Sequence, residues 1–99
     1  MPLMELHVFV RFHVREGAEK SAGEALGEVV PLSRAEAGCV QIHAYRSKSD
    51  ARLFYIHSIW NDDEAFEIHA KMPHTVRFLE RMSALTDQPR ELTRTQMIG

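Results

Sequence analysis

The sequence predicts an α+β domain of the ferredoxin-like type, with four antiparallel strands and helices on one face in the order βαββαβ. Short runs in which apolar and polar residues alternate indicate strands, and longer stretches with apolar residues every three or four positions indicate helices. This order of elements is a split βαβ arrangement. No linker, low-complexity tract or short repeat divides the chain, so residues 1–99 are expected to form a single domain.

The first predicted strand runs from Leu6 to Val14, where apolar residues occupy every second position. A helix from about Ala18 to Ala37 follows, because its apolar residues recur at intervals of three and four. Pro31 removes one backbone donor within this helix, so we expect a kink there and not a break. Gly38 fits the left-handed conformation that commonly follows a helix end.

Two further strands are predicted to form a hairpin around the polar turn 47–50. In the first, Val40, Ile42 and Ala44 share one side. The second begins at Leu53 and ends at Trp60, and neither of its sides is clearly polar. Both faces of the sheet are therefore expected to meet other protein surfaces.

The second helical region begins with the acidic run 61–64, which supplies a cap and complements the helix dipole. A short helix is predicted to about Ala70, where Pro73 interrupts the pattern, and a further helical segment continues to Leu85. The residues from Arg90 to about Met97 alternate weakly and are rich in threonine, which predicts an edge strand.

Composition excludes several classes of partner. The net charge of -2 comes from 12 basic and 14 acidic residues that are scattered along the chain, so nucleic acid is not expected to bind. No secretory leader or membrane-spanning stretch is recognised, so no membrane partner is expected. Cys39 is the only cysteine, which favours a cytoplasmic location and a small buried side chain over a nucleophile or redox sensor.

A homodimer is expected to form through the sheet face that the helices leave uncovered. A chain of this length buries a modest share of its surface, and an apolar sheet face left in water would be a large exposed patch. A second copy would cover that face.

Three stretches resemble the antibiotic biosynthesis monooxygenase family, and the resemblance extends over nearly the whole chain. They are the helix end 34–39, the strand and acidic cap 54–66 with its tryptophan, and the segment 69–74, in which a histidine is followed by a spacer, a proline and a second histidine. The resemblance implies the ferredoxin-like fold and a dimeric α/β barrel. The family includes quinol monooxygenases, haem degraders and an isomerase that processes a signalling molecule.

Two departures from the family pattern make some of these activities less expected for this chain. Members often carry a glutamate two residues before the tryptophan, where this chain has Ser58, so a role tied to that carboxylate is not carried over. The haem-degrading branch uses an asparagine on the first strand, and the only asparagine here is Asn61. Haem degradation is therefore disfavoured.

Two histidines are the predicted catalytic residues. His69 lies three and four residues after Phe66 and Ala65, so its ring should project toward the sheet as a neutral proton acceptor. His74 begins a helical segment, where the positive end of the dipole disfavours the imidazolium ion. The alternatives are a core histidine bonded to a backbone carbonyl for His69 and a helix cap for His74.

An aromatic substrate pocket is predicted beside these histidines. Trp60 offers a flat wall and one N–H donor, although a tryptophan at a strand end can equally belong to the core. The predicted substrate-binding residues are Trp60, Ser58, Phe66 and Phe78.

No metal or cofactor is expected. Six histidines occur, but their spacing does not give two ligands one helical turn apart, and no flavin, nicotinamide or haem signature is present. The roles of four strand histidines stay open; these are His7, His13, His43 and His57.

The leading functional prediction is a cofactor-independent monooxygenase that acts on a small phenolic or quinol-like aromatic and dioxygen. One alternative is an isomerase of a small hydroxy-ketone, with one histidine as base and Arg11 or Arg46 holding an anionic group. Another is a non-catalytic dimer that binds a small molecule.

Overall fold

The computed structural model, which describes residues 5–99, has seven regular elements in the predicted order, with the second helical region divided in two. The four strands and three helices are β1 Leu6–His13, α1 Glu19–Arg34, β2 Cys39–Arg46, β3 Leu53–Trp60, α2 Asp63–Ala70, α3 Pro73–Leu85 and β4 Glu91–Thr95.

The strands form one four-stranded sheet in the order β2-β3-β1-β4, and all neighbours are antiparallel. Near the middle of the sheet, Val8 of β1 lies opposite Ser58 of β3 and opposite Arg94 of β4. The predicted ferredoxin-like fold class is therefore confirmed.

The hydrophobic core lies between the helices and one face of the sheet. In β1 the even-numbered residues supply it, with Val8 fully buried and Phe12 1% exposed. Helix α1 contributes a stripe that includes Ala22 and Leu26, because residues four apart share one side of a helix. The Phe12 ring meets the edge of the Phe78 ring of α3.

The first helix continues through Pro31 without a break, begins one residue later than predicted and ends three residues earlier. It ends at Arg34, and the Ala35 N–H bonds to the carbonyl of Pro31. The left-handed conformation predicted for Gly38 is wrong, since the only positive φ in residues 5–99 belongs to Gly17. The segment between α1 and β2 instead needs a glycine for space: a Cβ on Gly38 would lie 2.5 Å from the Cβ of Ala65 in α2.

Two strand predictions also need correction. The alternation in β2 is interrupted by a bulge between Cys39 and Gln41, so Val40 is 47% exposed and does not follow Ile42 into the core. The last strand is shorter than the predicted range Arg90 to Met97 and covers Glu91–Thr95, where it pairs with β1.

The opposite face of the sheet is open and carries both aromatic and histidine side chains. Phe9, Tyr45 and Tyr55 are 45%, 50% and 38% exposed, whereas His7 and His13 are buried by neighbouring side chains. Within residues 5–99, no helix is both long and apolar enough to cross a bilayer.

The close approach at Gly38 gives a stability prediction. We expect Gly38→Ala to destabilise the fold by about 1–3 kcal/mol, because the added methyl overlaps the side chain of Ala65. Gly27→Ala is the matched control, since a Cβ there meets nothing within 4 Å and the position is helical, so we expect a gain of about 0.5–1 kcal/mol. Denaturant unfolding of the three proteins measures both changes, and equal stabilities would contradict the assigned role of Gly38.

Candidate functional site

A cavity of about 270 Å³ lies between the helices and the sheet. Most of its wall is apolar and comes from strands β1 to β4 and helices α1 to α3. Its polar lining consists of six side chains: Ser33, Ser58, His69, Thr75, Arg90 and Arg94. An apolar hollow with a few convergent polar groups is the usual form of a small-molecule site.

The structure brings four of the predicted site residues to this cavity. His69, Ser58, Phe66 and Phe78 all line it. His74 lies on the other side of His69 and lines a neighbouring cavity of about 300 Å³ between α1 and α3. The two histidine rings lie 6.3 Å apart, measured between centroids.

Glu36 joins these two histidines, and sequence reasoning did not select it. Its Oε2 lies 2.8 Å from Nδ1 of His69 and 2.7 Å from Nε2 of His74. The side chain of Glu36 is 7% exposed, that of His69 is 12% exposed and that of His74 is 15% exposed. A buried carboxylate needs hydrogen-bond donors, and the two imidazoles supply them.

The contact with Glu36 determines which nitrogen of the His69 ring carries the proton. An ionised carboxylate only accepts hydrogen bonds, so Nδ1 of His69 carries the proton and donates it to Glu36. The neutral ring then has its lone pair on Nε2, the nitrogen that could accept a proton from a molecule bound beside His69. The alternative considered for His69, a core histidine bonded to a backbone carbonyl, does not apply, because its hydrogen-bond partner is the carboxylate of Glu36.

Burial and charge act on His69 in opposite directions. Burial lowers the pKa of His69 below its ordinary value, and the weaker influence of Glu36, by hydrogen bond and charge, raises it. A positive charge on the neighbouring His74 would lower the pKa of His69 further. The neutral, proton-accepting ring is thus the stable form at neutral pH.

Trp60 packs against the His69 ring without lining the cavity. It is fully buried, its ring centroid lies 4.3 Å from that of His69, and it is absent from the cavity wall. Its indole N–H donates to Oγ of Ser58 at 2.9 Å. The structure therefore places Trp60 in the core against the histidine, while Ser58 keeps a hydroxyl proton that a ligand can accept.

Ser33 is a second residue that sequence reasoning missed. Its side chain is fully buried on α1 and lines the cavity, and its hydroxyl has no hydrogen-bond partner among residues 5–99. A buried hydroxyl without a partner costs free energy, which a bound oxygen or nitrogen atom would offset. The serine in an otherwise apolar helix stripe was the available sequence signal.

The arginines considered for the isomerase alternative lie elsewhere. Arg11 is on the open sheet face and donates to Oε1 of Gln88 at 3.1 Å, and Arg46 lies over the ring of Phe54. Arg90 and Arg94 line the cavity in their place. Both are near or within β4, the element that the sequence pattern indicated most weakly.

Arg94 ties the last strand to α2. Its guanidinium donates to Glu67 at 2.6 Å and to Asp63 at 3.3 Å, and it lies 4.9 Å from the centroid of the Phe66 ring. Arg94 thus forms part of the cavity wall on the β4 side.

Cys39 is partly buried at the start of β2. Burial raises the pKa of its thiol, and the nearby Glu36 charge adds to this effect. The reactive thiolate is therefore disfavoured, as expected for a small buried side chain.

The hydrogen bond between Glu36 and His69 gives a titration prediction. We expect Glu36→Gln to lower the pKa of His69 further, because it removes the charge that opposes burial. A lowered histidine pKa means that stability is complete above the unfolded value of 6.5 and falls as the pH drops below it toward the folded pKa. The Glu36→Gln protein should lose stability more steeply in that window. NMR titration of the His69 ring protons in both proteins measures the shift, and a higher pKa in the variant would contradict this account.

Comparison with known proteins agrees with this fold. The chain matches the family model described as antibiotic biosynthesis monooxygenase over residues 6–81. It is similar to the crystal structure of PA3566 from Pseudomonas aeruginosa, with a TM-score of 0.90 and 28% identity over 97% of this chain and 96% of that one. The crystal structure of an antibiotic biosynthesis monooxygenase has the same fold, with a TM-score of 0.90 and 20% identity over 95% of this chain and 99% of that one.

A curated relative, the uncharacterized protein YjcS of Bacillus subtilis (strain 168), is 31% identical over 62 residues. The match covers 60% of this chain and 59% of YjcS. Since the family model spans most of the elements that build the cavity, including Glu36, His69 and His74, the chain belongs to the antibiotic biosynthesis monooxygenase family.

Proposed function

We propose that this protein is a cofactor-independent monooxygenase that oxidises a small phenolic or quinol-like aromatic with dioxygen. The observation that carries the proposal is the pair formed by Glu36 and His69, whose imidazole lines an apolar cavity of about 270 Å³. Some members of the family are monooxygenases, which supports the reaction class.

In the proposed reaction, Nε2 of His69 accepts the proton of a ring hydroxyl and Glu36 stabilises the imidazolium ion that forms. The electron-rich phenolate then reacts with dioxygen at a ring carbon. A C–O bond forms, the O–O bond breaks, and the ring C–H becomes a carbonyl. The phenol loses two hydrogens and gains one oxygen, the second oxygen atom leaves as water, and the substrate supplies all four electrons.

The cavity supplies the remaining requirements of this chemistry. Its apolar wall, which includes Phe66 and Phe78, favours a flat aromatic ring and keeps water from the anion. The hydroxyls of Ser33 and Ser58 are available to hydrogen-bond substrate oxygens. These contacts orient the substrate, and orientation lowers the barrier by reducing the entropy lost on the way to the transition state.

Substitution of the proposed base tests the reaction. We expect His69→Gln to lower kcat by about 10²–10⁴-fold on any phenolic substrate that the native protein oxidises, since this is the usual contribution of a general base. Lys20→Gln is the control, because Lys20 is exposed on α1, away from the cavity and from the open sheet face, and its turnover should equal that of the native protein. Oxygen consumption measures the rates, and a loss of less than about tenfold in His69→Gln would contradict the assignment.

An isomerase is the second candidate, favoured by the two cavity arginines. Arg90 and Arg94 could hold an anionic group while His69 moves a proton on a hydroxy-ketone. Incubation without oxygen separates the candidates, because an isomerase still forms product and an oxygenase does not. A third possibility is a binding module without activity. It would have gained support from a His69 ring sealed by packing, whereas that ring lines a cavity.

We also propose that two copies pair through the open sheet face. Phe9, Tyr45 and Tyr55 are exposed there, and Phe9 stacks on His57 with ring centroids 4.5 Å apart. Aromatic side chains spread over a sheet face are typical of surfaces buried in dimers. The helices would then lie on the outside of both subunits.

A charge placed on this face should break the pairing. We expect Phe9→Asp to weaken dimerisation by at least about 100-fold, because the carboxylate would be buried without a partner. Ile68→Asp is the control, since Ile68 is 53% exposed on α2, away from the sheet face. Light scattering gives the mass of each protein, and a native monomer at micromolar concentration would refute the proposed dimer.

A further inference from the structure

We infer that Glu36, His69 and His74 form a binding site for a divalent transition-metal ion, for which Zn²⁺ is the probe. Each residue offers one ligand atom, and these three atoms lie within 4.8 Å of one another. They come from the turn after α1, the end of α2 and the start of α3, so the fold itself assembles the cluster.

The donor set has the right chemistry. Two imidazole nitrogens and one carboxylate oxygen match the ligands of open zinc sites, in which water takes the fourth position. Metal–ligand distances of about 2.0–2.2 Å place neighbouring tetrahedral ligands about 3.3 Å apart. The Oε2 atom of Glu36 now lies 2.8 and 2.7 Å from the two nitrogens, so it must move back by about half an ångström, and the two nitrogens, which lie within 4.8 Å of each other, must take up the same spacing of about 3.3 Å for an ion to enter.

The order of elements explains why the spacing in the sequence hid this site. His69 and His74 are five residues apart and belong to two different helices. The turn between these helices is held by bonds from the Lys71 N–H to the Ile68 carbonyl and from the Met72 N–H to the His69 carbonyl. This turn, and not one helical surface, brings the two rings together with Glu36.

The cluster lies between two cavities, which gives an ion a path in and room for water ligands. His69 lines the central cavity, and His74 lines the neighbouring cavity of about 300 Å³. Glu28 on the second cavity is paired with Arg81 at 2.6 Å, and Arg77 also lines that cavity, so the negative charge that would hold a cation comes from Glu36 of the cluster itself.

Occupancy by a metal would oppose the proposed oxygenase, and this consequence rests on the proposed function. The ion takes the lone pair of Nδ1 in His69, so the ring proton must reside on Nε2. Nε2 then donates a hydrogen bond and no longer accepts a proton. The metal-bound protein is therefore the inactive form.

Trp60 provides a fluorescent reporter beside this site. It is the only tryptophan of the chain, and its ring lies 4.3 Å from that of His69. Paramagnetic Co²⁺ bound at the cluster should quench its fluorescence saturably, and added Zn²⁺ should restore the signal by displacing Co²⁺. Two other groups lie on the open sheet face, His13 with Asp50 and Asp87, and His7 with His57, so quenching by an ion bound there would persist unchanged in His74→Gln.

Two variants make the test specific. His74→Gln keeps an N–H donor for Glu36 but removes an imidazole ligand, so we expect Co²⁺ and Zn²⁺ to bind at least about 30-fold more weakly. His43→Gln should bind as the native protein does. Zn²⁺ should also raise the Tm of the native protein and not that of His74→Gln, while similar Tm values without metal show that both are folded.

The inference fails if Co²⁺ does not quench Trp60 saturably, or if His74→Gln binds both ions as tightly as the native protein. These measurements need no substrate, so their failure leaves the oxygenase proposal standing. Loss of turnover in His69→Gln tests the base separately. If Zn²⁺ inhibits the native enzyme but not His74→Gln, the metal site is linked to the proposed oxygenase reaction.

Discussion

The buried carboxylate of Glu36 is the constraint on which the candidate site depends. It is 7% exposed, and its Oε2 accepts hydrogen bonds from two imidazoles that belong to different helices. Removing both donors would leave an unpaired charge in a region of low dielectric, which is strongly unfavourable, and removing one would leave the carboxylate with a single imidazole partner. The turn after α1 and the junction of α2 with α3 are therefore held in one arrangement by electrostatics as well as by packing.

The surrounding structure is built to bring these groups together. Gly38, two residues after Glu36, lets the chain pass close to Ala65, and this contact sets the distance between the turn and α2. On the other side, Trp60 packs against the His69 ring and limits its rotation. Close approach at one end and an aromatic wall at the other leave the imidazole little freedom. Such rigidity suits a group that must meet a substrate at a fixed angle.

The sequence predicts the frame of the molecule better than it predicts the site. Periodicity places the four strands and the inward side of α2, because those patterns are local. Glu36 escapes notice because its partners lie 33 and 38 residues away, and a glutamate near a helix end usually faces solvent. Arg90 and Arg94 could not be selected from the sequence either, because they reach the cavity only through the pairing of β4 with β1. The alternation that predicts β4 is weak. The glycine at position 38 was explained by a left-handed backbone conformation, but the structure requires it because Ala65 lies close. A contact between distant segments cannot be inferred from local backbone preferences.

The contact of Arg94 with Glu67 and Asp63 has a consequence for how the cavity behaves in different solutions. These three side chains are 40%, 52% and 74% exposed, so dissolved ions screen their attraction, unlike that of the buried Glu36. The β4 side of the hollow should accordingly loosen in concentrated salt, while the histidine side keeps its shape. Ionic strength thus becomes a means of adjusting how freely small molecules enter and leave without disturbing the groups that meet them inside.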